Sequence, residues 1–290
     1  MNATFNLTGK TVLIFGGTSG INLGIANAFA DAGATVGVAS RRQDKVDLAV
    51  SALARPSRDA FGYSVDVRQA DAVAAIAAAF VESCGPIDVL VSGAAGNFVA
   101  AAAKLSPNGF KSVVDIDLLG TFNVMHGCYP HLRRPGASVI NISAPQSIIP
   151  MAMQVHVCAA KAGVDMITRT LAIEWGPDGV RVNSIIPGPI EGTEGMARLA
   201  PTLDAKQAVI DTVPMRRLGT LSDIGDACLF LASDAARFVS GAVLPVDGGW
   251  SAAGAAGFRF VKTEPQDATT ASAAVSINDR ALKMHGAHKY

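Results

Sequence analysis

Seven short runs rich in Val and Ile punctuate the chain: Thr11–Phe15, Thr35–Ala39, Phe61–Val65, Ile87–Val91, Ser138–Ile142, Val180–Ile186 and Val243–Val246. Each is apolar along its length instead of alternating, the pattern of parallel strands covered on both faces. Between them apolar positions recur at helical spacing, as in Ile21–Ala32, Ala70–Val81, Val157–Trp175 and Asp223–Ala232. Regular alternation of strand and helix predicts the α/β class, with a doubly wound, seven-stranded parallel sheet and helices on both faces. No repeat or shift of composition divides residues 5–250, so 1–250 reads as one domain. The texture changes after Asp247-Gly248-Gly249. Residues 251–290, rich in Ala, Gly, Ser and Thr, read as a tail, either mobile or docking Phe258, Phe260 and Val261 on a neighbouring subunit.

At 290 residues and 50% hydrophobic, the chain is neither a disordered protein nor a disulfide-stapled mini-protein. Lys and Arg number 24, as do Asp and Glu, so no net field draws in nucleic acid or an anionic membrane, and neither is expected as a partner. The longest stretch free of Asp, Glu, Lys and Arg, 135–160, contains Pro135, Pro145, Pro150, Asn141 and Gln146. Those residues would leave backbone groups unpaired in lipid. No basic segment precedes an apolar run at the N-terminus, so no leader is expected. The four cysteines are far apart and form no C-x-x-C, which predicts reduced thiols and a cytoplasmic setting. No metal site is expected. Only His285 and His288 are closely spaced, and they lie in the tail.

The first predicted strand runs directly into Gly16-Gly17-Thr18-Ser19-Gly20-Ile21, where a helix opens. Glycines there let the backbone turn tightly and approach a pyrophosphate, and the first N–H groups of the helix supply donors and partial positive charge. Residues 1–250 therefore read as a dinucleotide-binding (Rossmann) and catalytic domain. At the end of the second strand, where an acid would hold both ribose hydroxyls of NAD, the chain has Ser40-Arg41-Arg42. A hydroxyl and guanidinium groups suit a 2′-phosphate, so NADPH/NADP is the expected cofactor.

These features resemble the short-chain dehydrogenase/reductase family, and the resemblance runs from Leu7 to Trp250. It implies that Asp66 and Val67 hold adenine, that Gly93-Ala94-Ala95-Gly96 stands in the family's N-N-A-G region, and that Pro187, Gly188, Ile190 and Thr193 approach the nicotinamide. Asp247-Gly248-Gly249 matches the closing D-G-G. Asn22 stands where the third glycine is usual, and Asn tolerates positive φ. Ser92-Gly93 replaces an Asn pair whose amides usually brace the fourth strand. Carbonyl reducers of the family carry a Tyr four residues before a helix Lys and a Ser thirteen before the Tyr. Here the Lys is Lys161, but those positions hold Val157 and Ala144, and neither is an acid. Ser143 and His156 are one residue away and are expected to face elsewhere.

Several segments agree with the branch of peroxisomal-type 2,4-dienoyl-CoA reductases: Ala94 to Phe98, Asp115 to Val124, Gln154 to His156, Ala172 to Pro177 and Pro187 to Gly195. The resemblance implies NADPH-dependent reduction of 2,4-dienoyl-CoA to 3-enoyl-CoA, a step of fatty acid metabolism. Asp117 and Lys161 then replace the usual Tyr/Ser/Lys set, and Asn97, Phe98, Ala144, Met153, His156 and Val157 line the substrate. Asp117 reads as a proton donor, and Lys161 as a ribose holder and electrostatic partner. Plainer roles exist for both, an unrelated ion pair for Asp117 and an i, i+4 pair with Asp165 for Lys161. Arg216-Arg217 or Arg133-Arg134 are candidates for CoA phosphates. Glu191–Pro201 reads as a mobile lid over substrate. A homotetramer is expected by resemblance alone, and His288-Lys289-Tyr290 does not look like a peroxisomal address. Two further readings remain: another enoyl-thioester or carbonyl reductase using NADPH, and a non-catalytic NADP-binding sensor or scaffold subunit.

Overall fold

The computed structural model describes residues 5–55 and 59–253. The tail beyond Ala253, with Phe258, Phe260, Val261, His285 and His288, lies outside them. In chain order the elements are β1 (Thr11–Phe15), α1 (Gly20–Asp31), β2 (Thr35–Ser40), α2 (Gln43–Leu53), β3 (Phe61–Ser64), α3 (Ala70–Cys84) and β4 (Val89–Ser92). Then come α4 (Pro107–Val113), α5 (Gly120–Cys128), β5 (Ser138–Ile142), α6 (Val155–Glu174) and β6 (Arg181–Pro187). The chain continues with α7 (Glu194–Leu199), α8 (Leu203–Thr212), α9 (Leu221–Ala232) and β7 (Val243–Val246). A π-helical segment, Val114–Leu119, joins α4 to α5.

All seven strands are parallel, in the order β3-β2-β1-β4-β5-β6-β7. The pleat sends successive residues to opposite faces, so each of the inner strands β2, β1, β4, β5 and β6 feeds two cores. Val12 and Ile14 of β1 pack with Ile25 and Phe29 of α1 and Ile224 of α9, while Leu13 and Phe15 pack with Phe80 of α3 and Val124 and Met125 of α5. Small residues permit the close helix contacts: a Cβ on Gly24 would meet Leu221 at 2.7 Å, and one on Gly127 would meet Ala74 at 3.1 Å.

The fourth strand starts two residues later than the apolar run suggests. Ile87 makes only an isolated bridge to Leu132, because the buried Asp88 turns its side chain to the backbone N–H of Thr11 at 3.0 Å. Arg133 Nε at 2.6 Å and Lys10 Nζ at 3.1 Å complete this clamp. Burial alone would raise the Asp88 carboxyl, but these donors prevail and hold it below its ordinary range. The clamp lies at the N-terminal edge of the sheet. Arg133 is thus committed to Asp88, and Arg134 lies over the Tyr129 ring at 4.7 Å, which removes this pair as candidates for CoA phosphates.

Among the described residues no helix is long and apolar enough to cross a membrane. All four cysteines are free, and burial pushes the Cys84 thiol up to about 11 and those of Cys128 and Cys228 further still. Little nucleophilic thiolate is left at these three positions.

Candidate active site

Strand order reverses between β1 and β4, and a groove opens there at the C-terminal ends of the strands, as the crevice rule for open α/β sheets requires. Its first section, about 330 Å³, is built on the glycine loop. Gly16 has φ +82, and a Cβ on it would lie 2.8 Å from the backbone nitrogen of Ala94, so only glycine lets the two loops pass. The next turn puts the buried Thr18 and the exposed Ser19 on the groove wall, and α1 opens at Gly20 with no side-chain cap on its N–H groups and no acid in its first turn. Uncapped donors at a positive helix end fit a pyrophosphate.

At the end of β2, Ser40, Arg41, Arg42 and Lys45 line the same section. Asp44 takes Arg42 in a forked pair at 3.0 and 2.5 Å, which raises the guanidinium and lowers the carboxyl. Among the described residues neither Arg41 nor Lys45 has an ion-pair partner, so the uncommitted positive charge sits on them. Asp66 is fixed by Arg68, whose hydrogen bonds hold it below the usual carboxylate range, with Val67 and Ala94 alongside on the groove wall. The sequence does not single out Lys45, because one turn into a helix a lysine looks like ordinary surface.

The second section, about 370 Å³, is lined by Gly20, Ile21, Asn22, Ala95, Asn97, Asp117, Ala144, Val157, Lys161, Pro187, Gly188 and Thr193. Asn22, Gly93, Ala95 and Glu194 border both sections. Asn22 does not use the positive φ expected of it. It lies within α1, and its amide donates to the Gly93 carbonyl at 2.7 Å. The bracing amide missing from position 93 is thereby supplied from the other side.

Asp117 and Lys161 meet at the floor of this section. Lys161, 6% exposed, donates from Nζ to the Ile142 carbonyl at 3.1 Å and stands 3.3 Å from Oδ2 of Asp117, which is 1% exposed. The Gly96 N–H donates to Oδ1 of Asp117 at 2.7 Å. The π segment carries Asp117, and Thr121 in the following turn donates to its carbonyl. Lys161 does not pair with Asp165. That carboxyl accepts from Ser184 at 3.0 Å, and Asn141 donates to Thr168 at 2.9 Å, so polar contacts to β6 and β5 fix α6 behind the lysine.

Val157 and Ala144 present no hydroxyl, as read from the sequence. Ser143 is not turned away as expected: it borders the groove, and its buried Oγ has no partner among the described residues. His156, fully buried, sits beneath the wall instead of lining it. Its Nε2 is 3.0 Å from the Phe98 carbonyl, and its ring lies 4.5 Å from the Phe98 ring. Phe98 and Met153, also expected to line the substrate, are exposed and line neither section, Met153 with φ 64. Ile190 does not reach the groove, because its side chain is buried in the core against Gly219. Thr193 caps α7, accepting from Met196 at 3.1 Å, so part of the segment expected as a lid is a short capped helix. Of the remaining CoA candidates, Arg217 is forked onto Asp223 at 2.7 and 2.8 Å, and Arg216 donates to the Asp211 carbonyl.

Residues 16–251 match the family model described as Enoyl-(Acyl carrier protein) reductase. The chain belongs to the short-chain dehydrogenase/reductase family. It is 44% identical over 246 residues to the peroxisomal 2,4-dienoyl-CoA reductase [(3E)-enoyl-CoA-producing] of Rattus norvegicus, covering 84% of each chain. It is 43% identical over 251 residues to the enzyme of the same name from Arabidopsis thaliana, covering 83% of this chain and 84% of that one. A short chain dehydrogenase from Bacillus anthracis superposes with a TM-score of 0.75 at 35% identity, over 83% of this chain and 96% of that one. As a member of this family the protein is an oxidoreductase with a nicotinamide cofactor. The expected cytoplasmic setting is corrected by these names, which point to the peroxisome. It rested on reduced thiols, which do not separate the two compartments, and on His288-Lys289-Tyr290, which lie outside the described residues.

Proposed function

We propose that this dehydrogenase/reductase uses NADPH to reduce a 2,4-dienoyl-CoA to a 3-enoyl-CoA. The observation that carries the reading is the buried Asp117–Lys161 pair at 3.3 Å, on a groove floor where Val157 and Ala144 stand in place of the family's Tyr and Ser. The cofactor supplies a hydride when bound. Attack at the δ-carbon of the diene sends negative charge to the thioester oxygen, so the site must stabilise that oxygen and protonate carbon. Lys161, anchored to the Ile142 carbonyl, places an ammonium at the groove floor for the ribose hydroxyls and the developing charge. Asp117, oriented by the Gly96 amide, passes the proton to carbon directly or through one water and recovers it from solvent. Hydride and proton together account for both hydrogens gained.

The test mixes the purified protein and NADPH with a 2,4-dienoyl-CoA, a 2-enoyl-CoA or a panel of ketones, and follows cofactor absorbance. Oxidation with the diene alone is expected. Oxidation with the others instead would favour a different reductase of the family, and binding without turnover would favour a sensor or scaffold.

Arg41 and Lys45 support the choice of NADPH, since a 2′-phosphate would meet two groove-lining cations that form no salt bridge among the described residues. Arg41→Asp is expected to lower the ratio of NADPH to NADH efficiency by at least about tenfold, the scale of one charge-assisted contact. An unchanged ratio in steady-state kinetics would remove Arg41 from the phosphate site. We also read a homotetramer from Leu119 and Phe122 on one helical face and Met166 and Ile173 on α6, large apolar side chains left in water. Light scattering at the mass of a single chain would exclude it.

A further inference from the structure

We infer that Asn22 is a positioning residue: it ties the cofactor-binding helix to the Asp117 carboxyl by supplying from α1 the amide that position 93 lacks. Asn22 sits in the first turn of α1, and its Nδ2 donates to the Gly93 carbonyl at 2.7 Å. A Cβ built on Gly93 would fall 2.3 Å from Oδ1 and 2.4 Å from Nδ2 of Asn22, so the amide fills the volume a side chain at 93 would need. The two positions therefore constrain each other: a side chain at 93 has to displace the Asn22 amide from where it stands.

The loop held in this way is short. It runs from Gly93 to Gly96, whose N–H is the donor to Asp117 Oδ1 at 2.7 Å. One hydrogen bond at each end of four residues links the start of α1 to the catalytic carboxyl. Asn22 also stands at the junction of the two groove sections, and its Oδ1 is buried with no partner among the described residues. A buried acceptor without a donor is costly unless a ligand satisfies it, and a sugar hydroxyl of the cofactor has the chemistry to do so. Displacing this amide thus disturbs the cofactor groove and the orientation of Asp117 together. The inference rests on the proposed reduction only in treating Asp117 as the proton donor.

Four variants test it: Asn22→Gly, Asn22→Asp, Gly93→Asn, and Asn22→Gly combined with Gly93→Asn. Each is measured for melting temperature without cofactor, for NADPH affinity by calorimetry, and for kcat on the diene. Asn22→Gly is expected to weaken NADPH binding about tenfold, the scale of one buried hydrogen bond, and to lower kcat comparably. Asn22→Asp keeps the shape but lacks the donor and is expected to do the same. Gly93→Asn is expected to be worse, and the combined variant to bind at least about tenfold more tightly than Gly93→Asn, because the clash is gone. If Gly93→Asn yields no soluble protein, its recovery in the combined variant is the same rescue. Penalties that simply multiply, a combined variant that still fails to fold, or unchanged binding in Asn22→Asp would each overturn the inference. A parent enzyme inactive on the diene would refute the proposed reaction, while the melting and binding cycle would still test the strut by itself.

Discussion

Asp117→Asn is expected to lower turnover by about 100-fold or more, the scale of a lost general acid, with NADPH affinity within about threefold of the parent. The amide keeps the volume and can still accept from Gly96, so the groove wall stays in place while the transferable proton is lost. A pre-steady-state measurement with NADPH deuterated at the transferred position separates the steps: the variant should lose the hydride isotope effect on kcat as protonation of carbon becomes limiting. A variant that turns over normally would mean that the proton comes from elsewhere, with Ser143 the next hydroxyl on the wall.

Lys161→Met should be more damaging. It removes the ammonium beside the developing charge, worth about 100-fold to 1,000-fold in turnover on the scale of a single transition-state donor. Cofactor affinity should fall with it, because the proposed function assigns the ribose hydroxyls to the same group. Stability should also drop, by about 1–3 kcal/mol, since Asp117 at 1% exposure is left as a buried polar group without its partner. Thermal unfolding checks this. Adding Asp117→Asn to Lys161→Met should restore much of the stability and none of the turnover, a split that a purely architectural role for the pair would not produce.

The strands are legible where the chain is apolar on both faces. Thr11–Phe15 and Ser138–Ile142, buried at every position, have the boundaries that the runs suggest, because nothing but burial decides them. The start of β4 is not, because Asp88 acts through three partners that are distant in sequence. In the groove, the glycine loop and the Asp117–Lys161 pair can be read, since φ > 0, close backbone approach and a missing hydroxyl leave marks on residue type. Asn22 misleads for the same reason: residue type suggests a backbone role, whereas its side chain reaches Gly93, 71 residues away in sequence. His156 and Ile190 likewise turn on which way a side chain points at a loop junction, which hydrophobic periodicity does not encode. The charged pairs at Arg133 and Arg217 show the same limit, since identity gives the charge but only folding supplies the counter-ion.

The wide turn at Val114–Leu119 holds one residue more per revolution than the helices on either side. It works as an insertion that the scaffold has absorbed: α4 and α5 keep their inward faces, while the winding between them sets the bearing of Asp117. Excising a single residue there would swing one flank by about 100° relative to the other. A lineage built on this architecture can therefore aim a new acid at its substrate by editing the pitch of one helix, with every strand left where it was.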